Sequence, residues 1–270
     1  MATKNNRQIS ILGCGWLGFP LAERLLEKGF SVKGSSTTED KISSLENTGI
    51  DPYVLELSEN GITGNTNGFL ENSDILIIDI PPKLRGEQKE NFVSKIRNLI
   101  PFVEKSEIKK ALFISSTAVY ADDNSVVTED TIPNPETESG KQLLASEKLL
   151  QSQTHFETTI LRFGGLIGED RHPIKFLAGK ENLENPDGVV NLIHQNDCIG
   201  IILKIIETES WNEIFNAAAP FHPTREMYYT QKAIEKNLQL PKFNHEKPSI
   251  GKTIDSTKLI EKLRYTFQNL

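Results

Sequence analysis

Cysteine is nearly missing from this chain: Cys14 and Cys198 are the only two among 270 residues. Two thiols cannot build a disulfide framework or a zinc cluster, and their scarcity fits a reducing compartment. No stretch approaches the roughly 20 apolar residues that crossing a bilayer requires. The opening MATKNNRQIS is polar and has no apolar h-region, so the expectation is a cytoplasmic protein without a membrane segment. Positive charge is also in short supply. Thirty Lys and Arg against thirty-seven Asp and Glu leave a net −7, which argues against nucleic acid as a partner, because neutralising phosphates takes clustered cations. Lys232 to Arg264 is richer in Lys and Arg, yet its charges alternate in sign and read as a solvated face. His155, His222 and His245 have no metal-ligand spacing with one another or with the cysteines, and no metal site is expected.

What the chain does have is a rhythm. Short β-branched runs alternate with amphipathic stretches, the pattern of strand–helix units closing on a parallel sheet. QISIL (8–12), FSVKGS (30–35), PYVLEL (52–57), DILIIDI (74–80), KALFISS (110–116) and TTILRFG (158–164) read as strands. The runs at 74–80 and 110–116 are apolar with little alternation, as strands buried on both faces must be. Helices are predicted from about Leu17 to Lys28 with Gly29 as the stop, after Thr38 to Gly49, over 87–105 with a kink or end at Pro101, and over 139–153 with Ser139 as a cap. A helix over 196–207 capped by Asp197, a strand at 213–217 and a helix from Thr224 follow. The fold class read from this rhythm is α/β, a doubly wound parallel sheet, and past Gly164 the rhythm loosens into a long loop-rich segment.

Gly13, Gly15 and Gly18 stand in G-x-G-x-x-G spacing between the first strand and the first helix. In that context the first glycine turns the chain, the second lets backbone approach a pyrophosphate, and the third lets helix and strand pack closely. The expected cofactor contacts are the turn itself, Gly13, Cys14, Gly15, Trp16, Leu17 and Gly18, together with Pro81 after the fourth strand. At the end of the second strand an Asp or Glu would accept from the ribose of NAD. Here the chain reads KGSSTTEDK, and Ser35, Ser36 and Thr37 can donate to a 2′-phosphate, with Lys33 or Lys41 for charge. NADP is favoured over NAD. The plainer alternative is that Thr37 and Thr38 cap the next helix.

With ILGCGWLG, FISSTAVYA, a helix bearing Lys141, ILRFGGLIGEDRHP and NLIHQNDCIG in this order, the chain resembles the extended short-chain dehydrogenase/reductase family, and within it an atypical branch of the NAD(P)-dependent epimerase/dehydratase group. The resemblance implies a Rossmann-type doubly wound sheet over residues 1–164 with strand order 3-2-1-4-5-6, a smaller substrate-covering region over 165–270 interleaved with it, and a catalytic Ser, Tyr and Lys, the last two spaced Tyr-x-x-x-Lys. By position Ser116 matches the serine and Lys141 the lysine, which in the family also holds the nicotinamide ribose. Thr137 stands where the tyrosine belongs, and a threonine hydroxyl cannot replace a lysine-assisted phenol. Tyr120 is the other phenol nearby, either lending its proton or packing beneath the loop.

For substrate contacts the resemblance points to Arg162 at the end of the sixth strand, to Arg171 and His172 in GEDRHP, and to His194 in NLIHQND. Arg162 would otherwise pair with a local carboxylate, and His194 would otherwise be a satisfied core histidine. The implied function is an NAD(P)-dependent oxidoreductase or epimerase/dehydratase-like protein acting on a small or nucleotide-linked polar substrate, with a homodimer through the helices at 87–105 and 139–153 left open. The alternative is a catalytically silent dinucleotide-binding or redox-sensing module, because of Thr137.

Overall fold

The computed structural model describes residues 7–82, 84 and 90–268. The first part of the helix expected over 87–105 therefore lies outside the described residues. Strands are β1 (Gln8–Leu12), β2 (Ser31–Ser36), β3 (Asp51–Val54), β4 (Glu56–Ser58), β5 (Gly61–Thr63), β6 (Ile75–Ile78), β7 (Lys110–Ser116), β8 (Val126–Val127), β9 (Glu157–Phe163), β10 (Gly165–Ile167), β11 (Leu192–His194), β12 (Ile214–Ala217) and β13 (Thr253–Ile254). Helices are α1 (Gly18–Glu27), α2 (Ile42–Asn47), α3 (Thr66–Leu70), α4 (Phe92–Lys105), α5 (Glu138–Gln151), α6 (Ile174–Leu177), α7 (Gln195–Glu207), α8 (Arg225–Glu235) and α9 (Thr257–Leu263).

Seven of the strands form a parallel sheet in the order β12-β9-β7-β6-β1-β2-β3. Because side chains alternate across a strand, each apolar run feeds two cores. Ile9 and Ile11 of β1 and Ile75 and Ile77 of β6 pack with Leu21 and Leu25 of α1 and the isoleucines of α7. Leu12, Leu76 and Ile78 face the other way, onto Phe92, Ile96 and Leu99 of α4 and Leu143 and Leu150 of α5. The sheet is thus a Rossmann-type doubly wound one. Its direction of winding reverses between β1 and β6, where Leu12 lies beside Ile78 in register. At such a switch point the crevice beyond the strands' carboxyl ends takes ligands.

Three differences from the sequence reading have local causes, and one expected strand takes a place in the main sheet. The strand expected over 52–57 stops at Val54, and the chain enters the β4–β5 hairpin, closed by Gly61 and Gly64, both at positive φ. At Gly64 a Cβ would sit 2.1 Å from the Val54 carbonyl oxygen, so only glycine fits there. Pro101 neither ends nor interrupts α4, which runs on to Lys105; Pro101 is exposed, so the carbonyl it leaves without a donor faces water. The strand expected at 213–217 joins the main sheet beside β9, and α7 and α9 pack beneath it, so the 165–270 region is shared between the sheet and a small outlying cluster. That cluster joins Ile167, Ile174, Val190, Leu192, Tyr228 and Tyr229. Finally, Thr137 rather than Ser139 caps α5, accepting from the Gly140 N–H at 3.1 Å. Among the described residues no helix is long and apolar enough to cross a membrane.

Candidate dinucleotide site

The glycine turn is built by neighbours that need it bare. Gly13 has φ +106°, and a Cβ there would lie 2.3 Å from the Asp79 carbonyl oxygen; one on Gly18 would lie 2.2 Å from the Gly13 oxygen. Gly15 is different. It is exposed, is not among the positive-φ residues, and a Cβ on it would meet nothing within 4 Å. The fold requires glycine at 13 and 18, whereas at 15 the missing side chain leaves open space above the backbone. Ser35 braces the turn from β2: its hydroxyl accepts from the Gly13 N–H at 2.9 Å and its carbonyl from the Cys14 N–H at 2.8 Å. The N-cap of α1, Leu17, has no side-chain acceptor to offer, and the amides of Gly15, Trp16 and Leu17 open the helix's positive end to the crevice. Burial pushes the Cys14 thiol up to about 12, so it packs as a small apolar group.

Asp79 follows β6 at the switch point, half-buried against both packing glycines. Its carboxylate takes the Gly18 N–H, and its Oδ2 is 3.2 Å from where a Cβ on Gly18 would be. Burial pushes its pKa up to about 7, against the pull of that amide. The sequence reading passed it over; the available signal was an acid directly after the apolar run Ile75–Ile78. Pro81, exposed, lies two residues on.

At the end of β2 the Ser36 hydroxyl accepts from the Thr38 N–H at 3.2 Å, and Thr37 is exposed. Lys33 is not available to a ligand. It is buried, and its ammonium donates at 2.7 Å to the carbonyls of Gly68 in α3's last turn and of Glu71 at its C-cap, a use that suits a cation at a helix carboxyl end. Lys41 is exposed and near enough to lower the Cys14 thiol's pKa, against the larger effect of burial.

Across the crevice, Ser116 ends β7, partly buried, with its hydroxyl accepting from the Ala118 N–H at 3.2 Å. The structure does not bring Lys141 to it. Gly140, Leu143, Ser146, Glu147 and Leu150 form the buried face of α5, and at 3.6 residues per turn Lys141 projects from the opposite, exposed side. The residues of α5 that share the inward side at four-residue spacing are Ser139, Leu143 and Glu147. Tyr120 is buried, with its hydroxyl accepting from Arg162 and donating to Asn216 Oδ1 at 3.1 Å. Arg162 in turn is committed to Glu147, Nη2 to Oε2 at 2.6 Å with both side chains at most 3% exposed, and Glu147 also accepts from Ser115. Of the alternatives open for these two residues, the structure has Tyr120 packed in the interior and Arg162 paired with a local carboxylate, both within one buried network beneath the strand ends.

Two histidines also turn inward. His172 is buried, its Nδ1 accepting from the Ile174 N–H at 3.1 Å and its Nε2 3.0 Å from the Tyr228 hydroxyl; burial lowers its pKa to about 4, leaving it neutral. It anchors the small cluster, between the Ile174 N–H and the Tyr228 hydroxyl. His194, and not Asp197, caps α7, its Nδ1 accepting from the Asn196 N–H at 3.2 Å. Asp197 is buried in the first turn, where its carboxylate accepts from the Tyr265 hydroxyl and the Gln268 N–H, both at 2.9 Å. Arg171 does reach the site. Its guanidinium lies 4.9 Å over the Trp16 ring, while Trp16 Nε1 donates to Asp170 at 2.9 Å and the Trp16 carbonyl accepts from Gln195. A Cβ on Gly168 would be 2.8 Å from that ring. The 168–171 loop thus lies directly against the glycine turn, with a cation on its exposed side.

This is the architecture of a Rossmann-type doubly wound fold, and known proteins share it. A UDP-glucuronic acid 4-epimerase from Bacillus cereus, solved with UDP-glucuronic acid and NAD, superposes with a TM-score of 0.79 at 19% identity over 97% of this chain and 95% of its own. A functionally unknown conserved protein from Silicibacter pomeroyi does so with a TM-score of 0.78 at 19% identity, over 98% and 94%. Residues 8–94 match the family described as NADP oxidoreductase coenzyme F420-dependent. The chain belongs to the family of Protein YeeZ from Escherichia coli, to which it is 34% identical over 264 residues, 97% of this chain and 96% of that protein.

Proposed function

We propose that this chain binds a nicotinamide dinucleotide, NADP in preference to NAD, and passes hydride between it and a small or nucleotide-linked polar substrate. The observation that carries the reading is Gly15, the one glycine of the turn that packing does not demand. The diphosphate would rest on the backbone of Gly15, Trp16 and Leu17 at the open end of α1. The cofactor supplies the hydride. Ser116 orients the substrate: its oxygen is occupied by the Ala118 N–H, which leaves its own proton for a substrate oxygen. Arg171, exposed and steadied on Trp16, offers a cation to a phosphate or carboxylate. The Bacillus cereus protein of the same fold carries UDP-glucuronic acid and NAD, which makes nucleotide sugars the first substrates to try.

The preference for NADP rests on the β2 end, where Ser36 and Thr37 replace an acid and the exposed Lys41 lies near enough to act on Cys14 of the turn. Lys41→Ala is expected to weaken NADPH about tenfold, the effect of one exposed charge-assisted contact, and to leave NADH nearly unchanged. Fluorescence titration with both coenzymes checks it; equal losses for the two would remove Lys41 from the 2′-phosphate.

A second reading is favoured by α5. A tyrosine and lysine spaced four apart must both lie on the helix side that faces β7, and there this chain has Ser139 and Leu143. Neither can shuttle a proton or hold a ribose, and this absence supports a silent dinucleotide-binding or redox-sensing module. Incubating the protein with NADPH and a panel of nucleotide sugars and small carbonyl compounds separates the two. Consumption of NADPH with any of them is the expected result; tight binding with no absorbance loss across the panel assigns the chain to the second reading.

A further inference from the structure

The positive end of α1 already has an acid at it. The Asp79 carboxylate takes the Gly18 N–H in the first turn, and its Oδ2 lies within 3.2 Å of the position a Gly18 Cβ would occupy. A diphosphate on Gly15, Trp16 and Leu17 would bring its own negative charge to the same helix end. Two anions sharing one helix pole in a half-buried crevice repel strongly, since a nearby like charge favours the neutral form of a titratable group. No cation is among the causes that set the Asp79 pKa. The ionisable groups that feel its charge are the Cys14 thiol of the turn and the Cys198 thiol of α7, both held neutral by burial. Lys41 acts on the Cys14 thiol and Arg171 on the Cys198 thiol.

Resting on the dinucleotide reading above, we propose that Asp79 is a binding residue in its protonated form: one carboxyl oxygen keeps the Gly18 N–H, the other donates its proton to a diphosphate oxygen, and each binding event takes that proton from solvent. A carboxylic acid kept neutral by its surroundings makes a good donor. In the free protein the group already titrates at about 7. The bound diphosphate raises that further, so the sign is fixed. Below pH 7 the acid is protonated before the coenzyme arrives and affinity is full. Above pH 7 a proton must be added on binding, and affinity falls by up to about tenfold per pH unit.

The test is titration calorimetry of the whole chain with NADPH at pH 7.5 and 8.5, in two buffers of different ionisation enthalpy. The 2′-phosphate, with a second pKa near about 6, is already ionised there. Wild type is expected to take up close to one proton per coenzyme and to lose about tenfold in affinity between the two pH values. Asp79→Asn keeps an oxygen for the Gly18 N–H and an N–H for the phosphate, so it should bind with no proton uptake and a flat profile. Saturable binding by wild type without proton uptake would overturn the proposal and leave the dinucleotide reading standing, as would an Asp79→Asn variant that keeps the slope. A flat wild-type profile together with lost binding in Asp79→Asn would make Asp79 a carboxylate acceptor instead. No heat from wild type or variant at either pH would remove the dinucleotide reading and this proposal with it.

Discussion

Gly15→Asp abolishes coenzyme binding and leaves the fold as stable as before. The space into which that side chain would project holds no protein atom within 4 Å, and residue 15 is exposed, outside the left-handed region of φ. Nothing in the folded chain should resist the substitution, and the stability change should stay within about 0.5 kcal/mol, as for other surface positions. A diphosphate would meet the new carboxylate at close range. Two unit charges about 4 Å apart at an effective dielectric near 20 repel by about 4 kcal/mol, about a thousandfold in Kd. Urea unfolding and coenzyme titration on the same preparation check both halves. The neighbouring glycines cannot serve as this test: a Cβ on Gly13 or Gly18 overlaps a backbone oxygen at 2.3 or 2.2 Å, so a loss of binding there would report damage to the turn. Unchanged affinity in a folded Gly15→Asp protein would leave the open space above the turn without a ligand.

The second large effect is at Glu147. Its carboxylate accepts from Arg162 and Ser115 with almost no access to water, and Glu147→Ala strands a buried guanidinium. Removing one partner of a buried pair costs about 3–5 kcal/mol, and the loss should extend to the Tyr120 and Asn216 contacts that Arg162 supports. Replacing the pair together, Glu147→Leu with Arg162→Met, removes both charges at once and should recover most of the loss. Denaturant midpoints of the single and double variants check this. A single variant within about 1 kcal/mol of wild type would mean that the pair carries no structural weight. This network also explains why two residues named from the sequence have no free group to offer. A phenol and an arginine beside a crevice look like chemistry until their partners are known, and the partner that matters, Glu147, lies 15 positions before Arg162 on another element.

Periodicity made the sheet legible. β1 and β7 fall where the apolar runs place them, and the strand order 3-2-1-4-5-6 follows in the sheet, with β12 added beyond it. The glycine turn was legible as well, because its spacing is local and its geometry follows from backbone sterics. The opposite wall of the crevice was not. Spacing counted back from Lys141 assumes that Lys141 faces the sheet, yet the helix is rotated by its apolar residues, Leu143 and Leu150, which carry Lys141 to the outside. Burial decides which way a helix turns, and a motif read without it can be set two residues off. Capping shows the same limit at α7: Asp197 has the preferred side chain, but the cap lies three residues earlier than it, and His194 takes the amide. Asp79 escaped notice for a related reason. Its importance comes from lying next to Gly13 and Gly18 across the β1–β6 switch, more than sixty positions away along the chain.

Titration calorimetry of the unmodified chain with NADPH and with NADH is the most direct measurement. One saturable site per chain, tighter for NADPH, is the predicted result. The absence of saturable heat with both coenzymes would contradict it, and the bare turn between β1 and α1 would then be a feature of packing alone.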